Sequence, residues 1–548
     1  MRAAIAAFDA GADVGVISKL HPTRSHSGAA EGGINAALGN AKEDSPETHA
    51  FDTVKGSDFL ADQDAVEIFT AEAPDDIYQL EHWGAMFTRA DDGRLAQRPF
   101  GAAGSPRTVF AADITGHVLI QVLYEQLVKR GIKVYEEFFA WQLVEDGGRC
   151  QGVVAWDLLR GGLTTIAGKA VVLATGGIGR VYRVTTNAYA CTGDGTAMAL
   201  RLGIPLKDME FMQFHPTTLY PTGILMTEGC RGEGAYLINK DGERFMKNYA
   251  PNAIELASRD VVSRSEQTEI DAGRGVNGSV MLDMRHLGAA KILDRLPGSR
   301  ELAITYAGVD PIYDPVPVRP GAHYHMGGVA TDKDGLTELP GLYAAGETAC
   351  VSVHGANRLG GNSLLETVVF GRRSGAAAAQ EVRAGTPRSV FSPSAVRVAE
   401  RRIQSLLYNF TGVRPWELRQ TLADTMYDNA GIFRTGEKLE QCKLGVDELR
   451  ERYAGGAGIV VQDKSRTFNN DLTQAIELGA MLEMADCLVT GAIARTESRG
   501  AHSRLDHPDR DDEHWLRHTL ACHDGDGGVR LDYRPVTITE YQPAVRTY

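Results

Sequence analysis

The sequence predicts an α/β fold of the Rossmann-like kind, carrying an inserted α+β domain and followed by a helical domain and a C-terminal domain. Short apolar segments at 14–18, 169–177 and 341–347 read as strands, and the last two end in small residues. Parallel strands that meet a ligand at their carboxyl ends are typically followed by such residues. A charged, turn-rich stretch interrupts this pattern at 219–320, and a helical period begins at 396.

These changes of pattern set the expected boundaries. The Rossmann-like domain comprises 1–218 and 321–395, the inserted capping domain 219–320, the helical domain 396–499 and the C-terminal domain 500–548. The helical domain is predicted from two apolar stripes with helical spacing. These stripes are Ile403, Leu406, Leu407 and Phe410, and Leu439, Cys442, Val446, Leu449 and Tyr453. The last 49 or so residues have little periodicity.

The first residues read as the second half of a β-α-β unit. Residues 2–8 resemble the end of a helix, Gly11 its stop, and 14–18 the following strand. The preceding strand and its G-x-G-x-x-G turn do not occur in the sequence. We therefore expect the native chain to begin roughly 15 to 20 residues upstream of Met1, the length of such a strand and turn. The alternative is a protein that has lost this phosphate cradle, and the DNA upstream of the Met1 codon would decide between them.

Composition excludes several classes of protein. The 548 residues include 57 Lys and Arg against 71 Asp and Glu, a formal charge of −14 that disfavours nucleic-acid binding. No apolar run reaches the ~20 residues that cross a bilayer. The seven cysteines form no C-x-x-C pair, so the sequence predicts no zinc ribbon or iron–sulfur cluster, and no other metal site, in this chain. Their scattered positions suggest reduced thiols in a cytosolic compartment.

Glycine is in excess, with 61 residues where average usage would give about 38. Several glycines lie in the loop HPTRSHSGAAEGGINAA (21–37), directly after the first strand. Small residues there would let the backbone approach a planar or phosphate-bearing ligand. On its own this loop could equally be a plain tight turn.

Longer motifs carry a more specific signal, and they occur in a fixed order along nearly the whole chain. They are TRSH with AEGG, ATGG, TGDG, QFHPT, MTEGCRGEGA, SRDVV, HYHMGG, GLYAAGE, HGANRLGGNSLLE and RGAHSRLDHPDRDD. With these motifs the sequence resembles the flavoprotein subunits of succinate dehydrogenase and fumarate reductase. The resemblance implies that the Rossmann-like domain binds FAD.

The resemblance also implies how FAD is held. In that family the histidine of the TRSH loop is bonded covalently to FAD, which makes His26 the expected attachment point. Backbone and side chains along 18–33 would wrap the adenosine and pyrophosphate. Asp194 and Glu347 would accept hydrogen bonds from the cofactor, and Ser363 and Leu364 would present backbone groups to its ring. The expected contacts along 18–33 are Ser18, Lys19, Thr23, Arg24, Ser25, Ser27, Gly32 and Gly33.

The same motifs imply a dicarboxylate site. His215, Thr227, His323 and Arg358 match the family's substrate ligands, and a guanidinium can hold a carboxylate through two parallel hydrogen bonds. Arg259 matches the family's proton-transfer residue, and Glu228 and Arg231 match its relay to solvent. Without the motif, Arg259 would be read as forming an exposed ion pair with Asp260.

The implied reaction is oxidation of succinate to fumarate by hydride transfer to FAD, with Arg259 taking the proton. Because this chain lacks cluster cysteines, we expect a separate iron–sulfur subunit to accept the electrons and membrane anchor subunits to pass them to quinone. The chain would then lie peripherally on the cytoplasmic face of the inner or plasma membrane. The histidine-rich tail would lie near the iron–sulfur subunit.

Three alternatives remain open. A fumarate reductase working in reverse would use the same residues. L-aspartate oxidase shares the fold and the substrate clamp but lacks the linking histidine, so His26 argues against it. A flavin-free assembly subunit is conceivable because of the short start. One departure from the family pattern is His325, which we expect beside the substrate where a smaller residue is usual. A metal site at His323 and His325 would lack a third ligand.

Overall fold

The computed structural model describes residues 1–385, 393–455, 458–525 and 527–547. Its α-helices are α1 (Arg2–Asp9), α2 (Pro46–Gly56), α3 (Gln63–His82), α4 (Thr115–Lys129), α5 (Asp194–Arg201), α6 (Glu228–Gly232), α7 (Met246–Tyr249), α8 (Arg259–Asp271), α9 (Ala289–Arg295), α10 (Pro297–Ala307), α11 (Asn362–Arg383), α12 (Pro393–Leu407), α13 (Pro415–Asn429), α14 (Gly436–Ala454), α15 (Asn470–Ala494) and α16 (Asp512–Trp515).

Its strands are β1 (Gly15–Ser18), β2 (Ile34–Asn35), β3 (Gln97–Arg98), β4 (Thr108–Val109), β5 (Lys133–Glu136), β6 (Phe138–Glu145), β7 (Cys150–Asp157), β8 (Gly162–Ala167), β9 (Val171–Leu173), β10 (Leu206–Lys207), β11 (Met212–Leu219), β12 (Tyr236–Ile238), β13 (Val280–Asp283), β14 (Val316–His325), β15 (Gly328–Ala330), β16 (Leu342–Ala344), β17 (Ala349–Cys350), β18 (Phe433–Arg434), β19 (Ser503–Arg504), β20 (Arg517–His523) and β21 (Val529–Pro535). Helices and strands are mixed along the chain, so the predicted α/β class is confirmed.

The three strands predicted from apolar segments are present and parallel-paired. β1 pairs in parallel with β5, and β16 pairs in parallel with β9. In the described residues these are two separate two-stranded sheets, rather than neighbours in one sheet. Helix α11 packs against α1 and α3, and its buried face meets Ile5 and Phe69 in one apolar core. This packing fixes the start of α11 next to the loop that follows β1.

The segment between β11 and β14 has a core of its own. Strands β11, β14, β13 and β12 form an antiparallel sheet in that order, and α8 packs on β11. The apolar cluster runs from Leu219 to Val318 and contains no residue from outside this range. We call this segment the cap. Strands β11 and β14 join both of its ends to the rest of the protein, and they carry residues of the candidate site described below.

The helical region follows the predicted stripes except at one residue. Leu439, Cys442, Val446 and Leu449 on α14 are buried, as are Ile403, Leu406 and Leu407 on α12. Phe410 is 73% exposed because α12 ends at Leu407, three residues earlier. The prediction for Phe410 was therefore wrong. Polar side chains cap two of the longer helices: Thr435 accepts the N–H of Lys438 at the start of α14, and Asn469 accepts the N–H of Leu472 at the start of α15.

The C-terminal residues are more regular than the sequence indicates. β20 and β21 form an antiparallel hairpin, and β20 also pairs with β10 to extend a five-stranded sheet. Alternation is weak here because four consecutive residues of β20 are buried, whereas no residue of β21 is. In the part of the chain that the structure describes, no group of His, Cys, Asp or Glu is placed to hold a metal, and no helix has the length and apolarity of a membrane span.

Candidate active site

The side of the site that belongs to the cap is built around Arg259, the first residue of α8. Its Nε donates to Oε2 of Glu228 at 2.7 Å, and its Nη1 donates to Oε1 of Gln213 at 3.1 Å. The guanidinium is only 6% exposed. Asp260 does not pair with it, because Asp260 bonds instead to Arg546 of the C-terminal tail. The reading of Arg259 as a surface ion pair is therefore wrong.

Glu228 is held by groups on three elements. Its Oε1 accepts the N–H of Gly101 at 2.7 Å and lies 3.9 Å from Nη2 of Arg231, one turn along α6. Burial opposes its ionisation, but the guanidinium groups of Arg259 and Arg231 together hold the pKa of Glu228 below its usual value. Burial also lowers the pKa of Arg259, against the raising effect of Glu228. Glu228 is thus an ionised carboxylate with two guanidinium neighbours, Arg259 and Arg231.

Two histidines from facing strands lie next to this pair. The rings of His215 on β11 and His323 on β14 are 4.8 Å apart. Nδ1 of His215 accepts the N–H of Thr217, and Nδ1 of His323 lies 2.8 Å from the hydroxyl of Thr186. Burial lowers the pKa of His215 well below its usual value, and the charge of Arg259 adds to this. The pKa of His323 is lowered in the same way. Both rings are therefore neutral at pH 7.

The opposite side of the site is formed by Arg358, in the loop before α11. This side chain is fully buried and lies 4.5 Å above the ring of Tyr324. Its Nη1 donates to the carbonyl oxygen of Leu359, and its Nε has no acceptor among the described residues. Burial and the charge of Arg259 lower its pKa to about 9. No carboxylate is bonded to this guanidinium in the described residues.

Thr227 completes the predicted substrate ligands. It is the N-cap of α6, and its hydroxyl oxygen accepts the N–H of Gly229 at 3.2 Å. That bond leaves the hydroxyl proton available to another acceptor. Because Glu228 and Arg231 follow on the same short helix, one turn of chain places a hydroxyl and both relay residues. The structure therefore brings the seven predicted substrate and relay residues into one region.

His325 is not beside the substrate ligands. It is buried, its Nε2 lies 3.0 Å from the carbonyl oxygen of Met209, and its backbone N–H donates to Glu347. The charged groups that act on it include Asp208 but none of the arginines of the site. The expectation that this residue faces the substrate was wrong, because its ring already bonds to the carbonyl oxygen of Met209 and no charged group of the site acts on it.

The TRSH loop forms two short 3-10 turns, at Pro22–Arg24 and His26–Ala29. Nδ1 of His26 accepts the N–H of Ala188, and its Nε2 lies 3.5 Å from the amide nitrogen of Asn187. The same amide donates to the carbonyl oxygen of His323 at 2.7 Å. Desolvation lowers the pKa of His26 to about 4, so its ring is neutral. Asn187 thereby joins His26 to His323.

The remaining residues of this loop make local contacts. The hydroxyl of Thr23 lies 2.8 Å from the ring of His21, Ser25 caps the second turn by accepting the N–H of Ser27, and Arg24 is exposed. Gly33 has φ +129°, and a Cβ there would lie 2.5 Å from the carbonyl oxygen of Val109. A Cβ at Gly32 would meet the ring of Phe100 at 2.7 Å. For these two glycines the structure supplies a packing reason that needs no ligand.

Lys19 and Asp194 meet each other. Lys19, which follows Ser18 at the end of β1, pairs at 2.7 Å with both Asp194 and Glu477. The second oxygen of Asp194 is buried and has no partner in the described residues. Asp194 therefore keeps one acceptor free, beside the end of the strand on which a ligand is expected.

The third group of predicted cofactor residues lies at the start of α11. This helix begins at Asn362 after Gly361, whose φ is +84°, and no side chain caps it. The N–H groups of Ser363 and Leu364 thus occupy an uncapped N-terminus.

Burial raises the pKa of Glu347 to about 7, although the backbone N–H of His325, which bonds to its carboxylate, opposes this rise. Gly176 has φ +80°, and a Cβ added there would meet no protein atom within 4 Å.

Sequence reasoning missed four residues of the site: Thr186, Asn187, Gln213 and Tyr324. Gln213 and Tyr324 stand inside the motifs QFHPT and HYHMGG, next to residues that were identified. The side-chain amide of Gln213 also donates to the carbonyl oxygen of Arg358 at 2.8 Å, so it bridges the two sides. Thr186 and Asn187 carry no pattern, and only the tertiary structure brings them to His323.

Two family models and several relatives match most of the chain. The family model described as FAD binding domain matches residues 1–364, and the one described as fumarate reductase flavoprotein C-term matches 419–548. The succinate dehydrogenase flavoprotein subunit of Rickettsia bellii is 47% identical over 100% of this chain and 95% of its own length. The fumarate reductase flavoprotein subunit of Mycobacterium tuberculosis is 48% identical over 100% and 97%. A solved E. coli quinol fumarate reductase has a TM-score of 0.94 at 43% identity, covering 99% of this chain and 96% of its own.

The chain belongs to the succinate dehydrogenase and fumarate reductase flavoprotein subunit family. The family's FAD-binding domain accounts for the partly unsatisfied groups described above. The free oxygen of Asp194 and the uncapped start of α11 are an acceptor and donors of the kind a flavin dinucleotide bonds to, and a Cβ at Gly176 would meet no protein atom within 4 Å. The residues present therefore fit FAD.

Proposed function

We propose that this chain is the catalytic subunit of a succinate dehydrogenase, which oxidises succinate to fumarate with FAD linked covalently to His26. The observation that carries the proposal is the charge around His215. Arg231, Arg259 and Arg358 contribute three positive charges there, and Glu228 offsets one. The excess of two positive charges suits a dicarboxylate dianion.

In the proposed reaction each side of the site has one task. Arg358 would hold one carboxylate of succinate, and the rings of His215 and His323 with the hydroxyl of Thr227 would hold the other. Fixing both ends orients the two methylene groups between them. Arg259 would hand its Nε proton to the Glu228 carboxylate as it takes the proton from one methylene carbon. Bound FAD would supply the acceptor for the hydride from the other carbon.

Activity is the direct test. Purified flavin-loaded enzyme should reduce an artificial dye with succinate as donor, and malonate should inhibit it competitively. Aspartate oxidation in place of succinate oxidation would favour the aspartate oxidase alternative. A colourless protein with neither activity would favour the flavin-free alternative.

Fumarate reduction is the second candidate function. The Mycobacterium tuberculosis relative named fumarate reductase is as similar as the succinate dehydrogenases. The same side chains would serve, with Arg259 donating the proton. Measuring the rates of both directions on one preparation, with dyes of different potential, assigns the preferred direction.

Covalent attachment rests on His26 and its neutral, half-buried ring. After acid precipitation and proteolysis, flavin fluorescence should remain with a peptide spanning 24–33. His26→Ser should release the flavin into the supernatant. His21→Ser, a change five residues away in the same loop, should leave the flavin attached. Flavin that washes out of the unaltered protein would contradict the assignment.

We also propose that the subunit works in a membrane-bound complex. An iron–sulfur subunit would accept the electrons, and anchor subunits would pass them to quinone, which places this chain on the cytoplasmic side of the inner or plasma membrane. Supporting this, solved relatives include a quinol fumarate reductase with menaquinol and the Mycobacterium smegmatis Sdh1 with UQ1. Co-purification of the chain with an iron–sulfur protein in detergent would test it.

A further inference from the structure

The loop that carries Arg358 has a backbone with unusual freedom. Gly360 and Gly361 follow Arg358 and Leu359, and Gly361 has φ +84°. Glycines allow the backbone more conformations than other residues do. No side chain among the described residues caps the start of α11, which follows directly. A guanidinium in such a loop keeps one position only if other segments of the chain hold the backbone.

Asn35, at the end of β2, holds the α11 side of this loop. Its backbone N–H donates to the carbonyl oxygen of Gly361 at 3.1 Å. Its side-chain amide donates to the carbonyl oxygen of Gly360 at 2.7 Å and to Oδ1 of Asn362 at 2.8 Å. Its own Oδ1 accepts the hydroxyl proton of Thr108 at 2.7 Å. Asn35 is fully buried, so these bonds form without competition from water.

The close approach of Asn35 also explains why position 361 is a glycine. A Cβ there would lie 2.2 Å from Oδ1 of Asn35, far inside van der Waals contact. The left-handed φ of Gly361 is a second reason, since residues with a Cβ rarely adopt it. The amide of Asn35 therefore reaches Gly360 and Asn362 only because no side chain stands between them.

Asn362 is held in turn by two residues of α2. Its Oδ1 also accepts from Nε2 of His49 at 3.0 Å, and its Nδ2 donates to the hydroxyl of Thr53 at 3.0 Å. Burial lowers the pKa of His49 to about 3, so the ring is neutral and carries its single proton on Nε2. The side chains of Asn35 and Asn362 thus have partners at both ends of their amides, which fixes their orientation.

The other end of the loop is held by Gln213 and Asn357. The amide of Gln213 donates to the carbonyl oxygen of Arg358 at 2.8 Å, and the amide of Asn357 donates to the carbonyl oxygen of Gly56 at 3.1 Å. The guanidinium of Arg358 itself has no carboxylate partner in the described part of the chain. The position of its backbone therefore decides where its charge lies.

We propose that Asn35 is a positioning residue for Arg358, fixing the loop so that the guanidinium meets one carboxylate of the substrate. This inference rests on the proposed function. Asn35 acts through the backbone of Gly360 and Gly361 and is given no contact with the substrate. His26 lies on the same connection between β1 and β2. One segment would thus carry the flavin link and hold the substrate anchor.

The test is malonate binding to the flavin-loaded enzyme, titrated through the flavin spectrum. Asn35→Asp keeps the size of the side chain but replaces its amide donors with an acceptor. The oxygens of Gly360 and Asn362 would then face a carboxylate. We expect the malonate Kd and the succinate KM to rise about tenfold or more. The change in kcat should be smaller, since the proton-transfer side of the site is unaltered.

Thr108→Val is the second variant, because it removes one bond to Asn35 and adds no charge. The malonate Kd should rise about two- to fivefold, as expected for one lost hydrogen bond. This variant keeps the size of the side chain and so preserves the fold more readily. Should Asn35→Asp fail to fold, Thr108→Val decides the question by the same measurements. An unchanged malonate Kd in Thr108→Val and in any folded Asn35→Asp would overturn the proposal.

Coupling to Arg358 is the result that a general loss of stability would not give. In Arg358→Gln the anchor is already absent, so adding Asn35→Asp or Thr108→Val should change the malonate Kd by less than about twofold. The same loss in both backgrounds would overturn the proposal, because Asn35 would then act by an added charge or by destabilising the protein as a whole.

The matched control is Asn469→Asp, the same change at another buried asparagine. The amide of Asn469 donates to the carbonyl oxygens of Asp463 and Ser465, and its oxygen accepts the N–H of Leu472. This variant should lower thermal stability and leave the malonate Kd unaltered. A rise equal to that of Asn35→Asp would contradict the assignment. Failure of the proposed function is distinguishable, because the unaltered enzyme would then neither bind malonate nor oxidise succinate, and the anchor role would fall with it.

Discussion

The two sides of the candidate site each present a buried arginine, and the arginines differ in what neutralises them. Arg259, on the cap, bonds at 2.7 Å to a carboxylate that is itself held by Arg231 and Gly101. Arg358, on the other side, lies over an aromatic ring and has a pKa lowered to about 9. A charge with its own partner can exchange a proton with that partner, whereas a charge without one favours an incoming anion. The residue type alone would not distinguish these tasks.

The largest expected effect is on the cap side. Arg259→Gln should lower succinate turnover by about 10²–10⁴ or more, the range for a lost proton transfer. Malonate, a dicarboxylate that does not react, should bind with nearly unchanged affinity, as titrated through the flavin spectrum. Arg264→Gln, one turn along α8, serves as the control and should keep most of the turnover. Equal losses of malonate affinity in Arg259→Gln and Arg358→Gln would remove the distinction between the two sides.

Arg358→Gln should weaken malonate binding by about 2–5 kcal/mol, the scale for removing one partner of a buried charged pair. The physical reason is that the Arg358 guanidinium is buried and has no carboxylate partner among the described residues, so its charge is available to one carboxylate of the ligand. Isothermal titration or flavin difference spectra measure the affinity. Normal malonate binding in this variant would show that Arg358 is not the anchor.

The pH dependence of malonate binding should report the same group. Since the pKa of Arg358 is lowered to about 9, its guanidinium is charged below that pH and loses its proton above it. We expect constant affinity from pH 7 to 8 and a decline above pH 9 that approaches about tenfold per pH unit. Arg358→Gln should abolish this decline. Affinity that stays constant to pH 10 in the unaltered enzyme would contradict the assignment.

The smallest effect is expected at Gln213, which joins the two sides. Its oxygen accepts from Arg259, and its nitrogen donates to the carbonyl oxygen of Arg358 and to Asn357. Gln213→Met should leave one donor of Arg259 unpaired, at a cost of about 1–3 kcal/mol. Turnover should fall about tenfold, with a smaller change in malonate affinity. Steady-state kinetics and malonate titration on one preparation measure both, and a loss confined to malonate affinity would place Gln213 with Arg358 alone.

Much of the site could be predicted because its chemistry lies in contiguous motifs. TEGCRGEG places Thr227, Glu228 and Arg231 within one turn, so their proximity follows from local geometry. The three apolar strands were predictable for the same reason, since each is a short run bounded by small residues. The hairpin of β20 and β21 was missed because β20 is buried along four consecutive residues and β21 is largely exposed, so neither strand alternates clearly. The burial of Phe410 was overestimated because the helix ends before it.

The sequence by itself determined the fold class, the family and the residue types that line the candidate site, since these depend on ordered motifs and hydrophobic period. Only the tertiary structure decided which partner each buried charge received. Asp260 stands next to Arg259 in the chain, yet it bonds to Arg546, 286 residues away, while Arg259 turns to Glu228. Buried ions must find the nearest compensating charge in space, and distance in space between residues from different elements is set by packing rather than by sequence order.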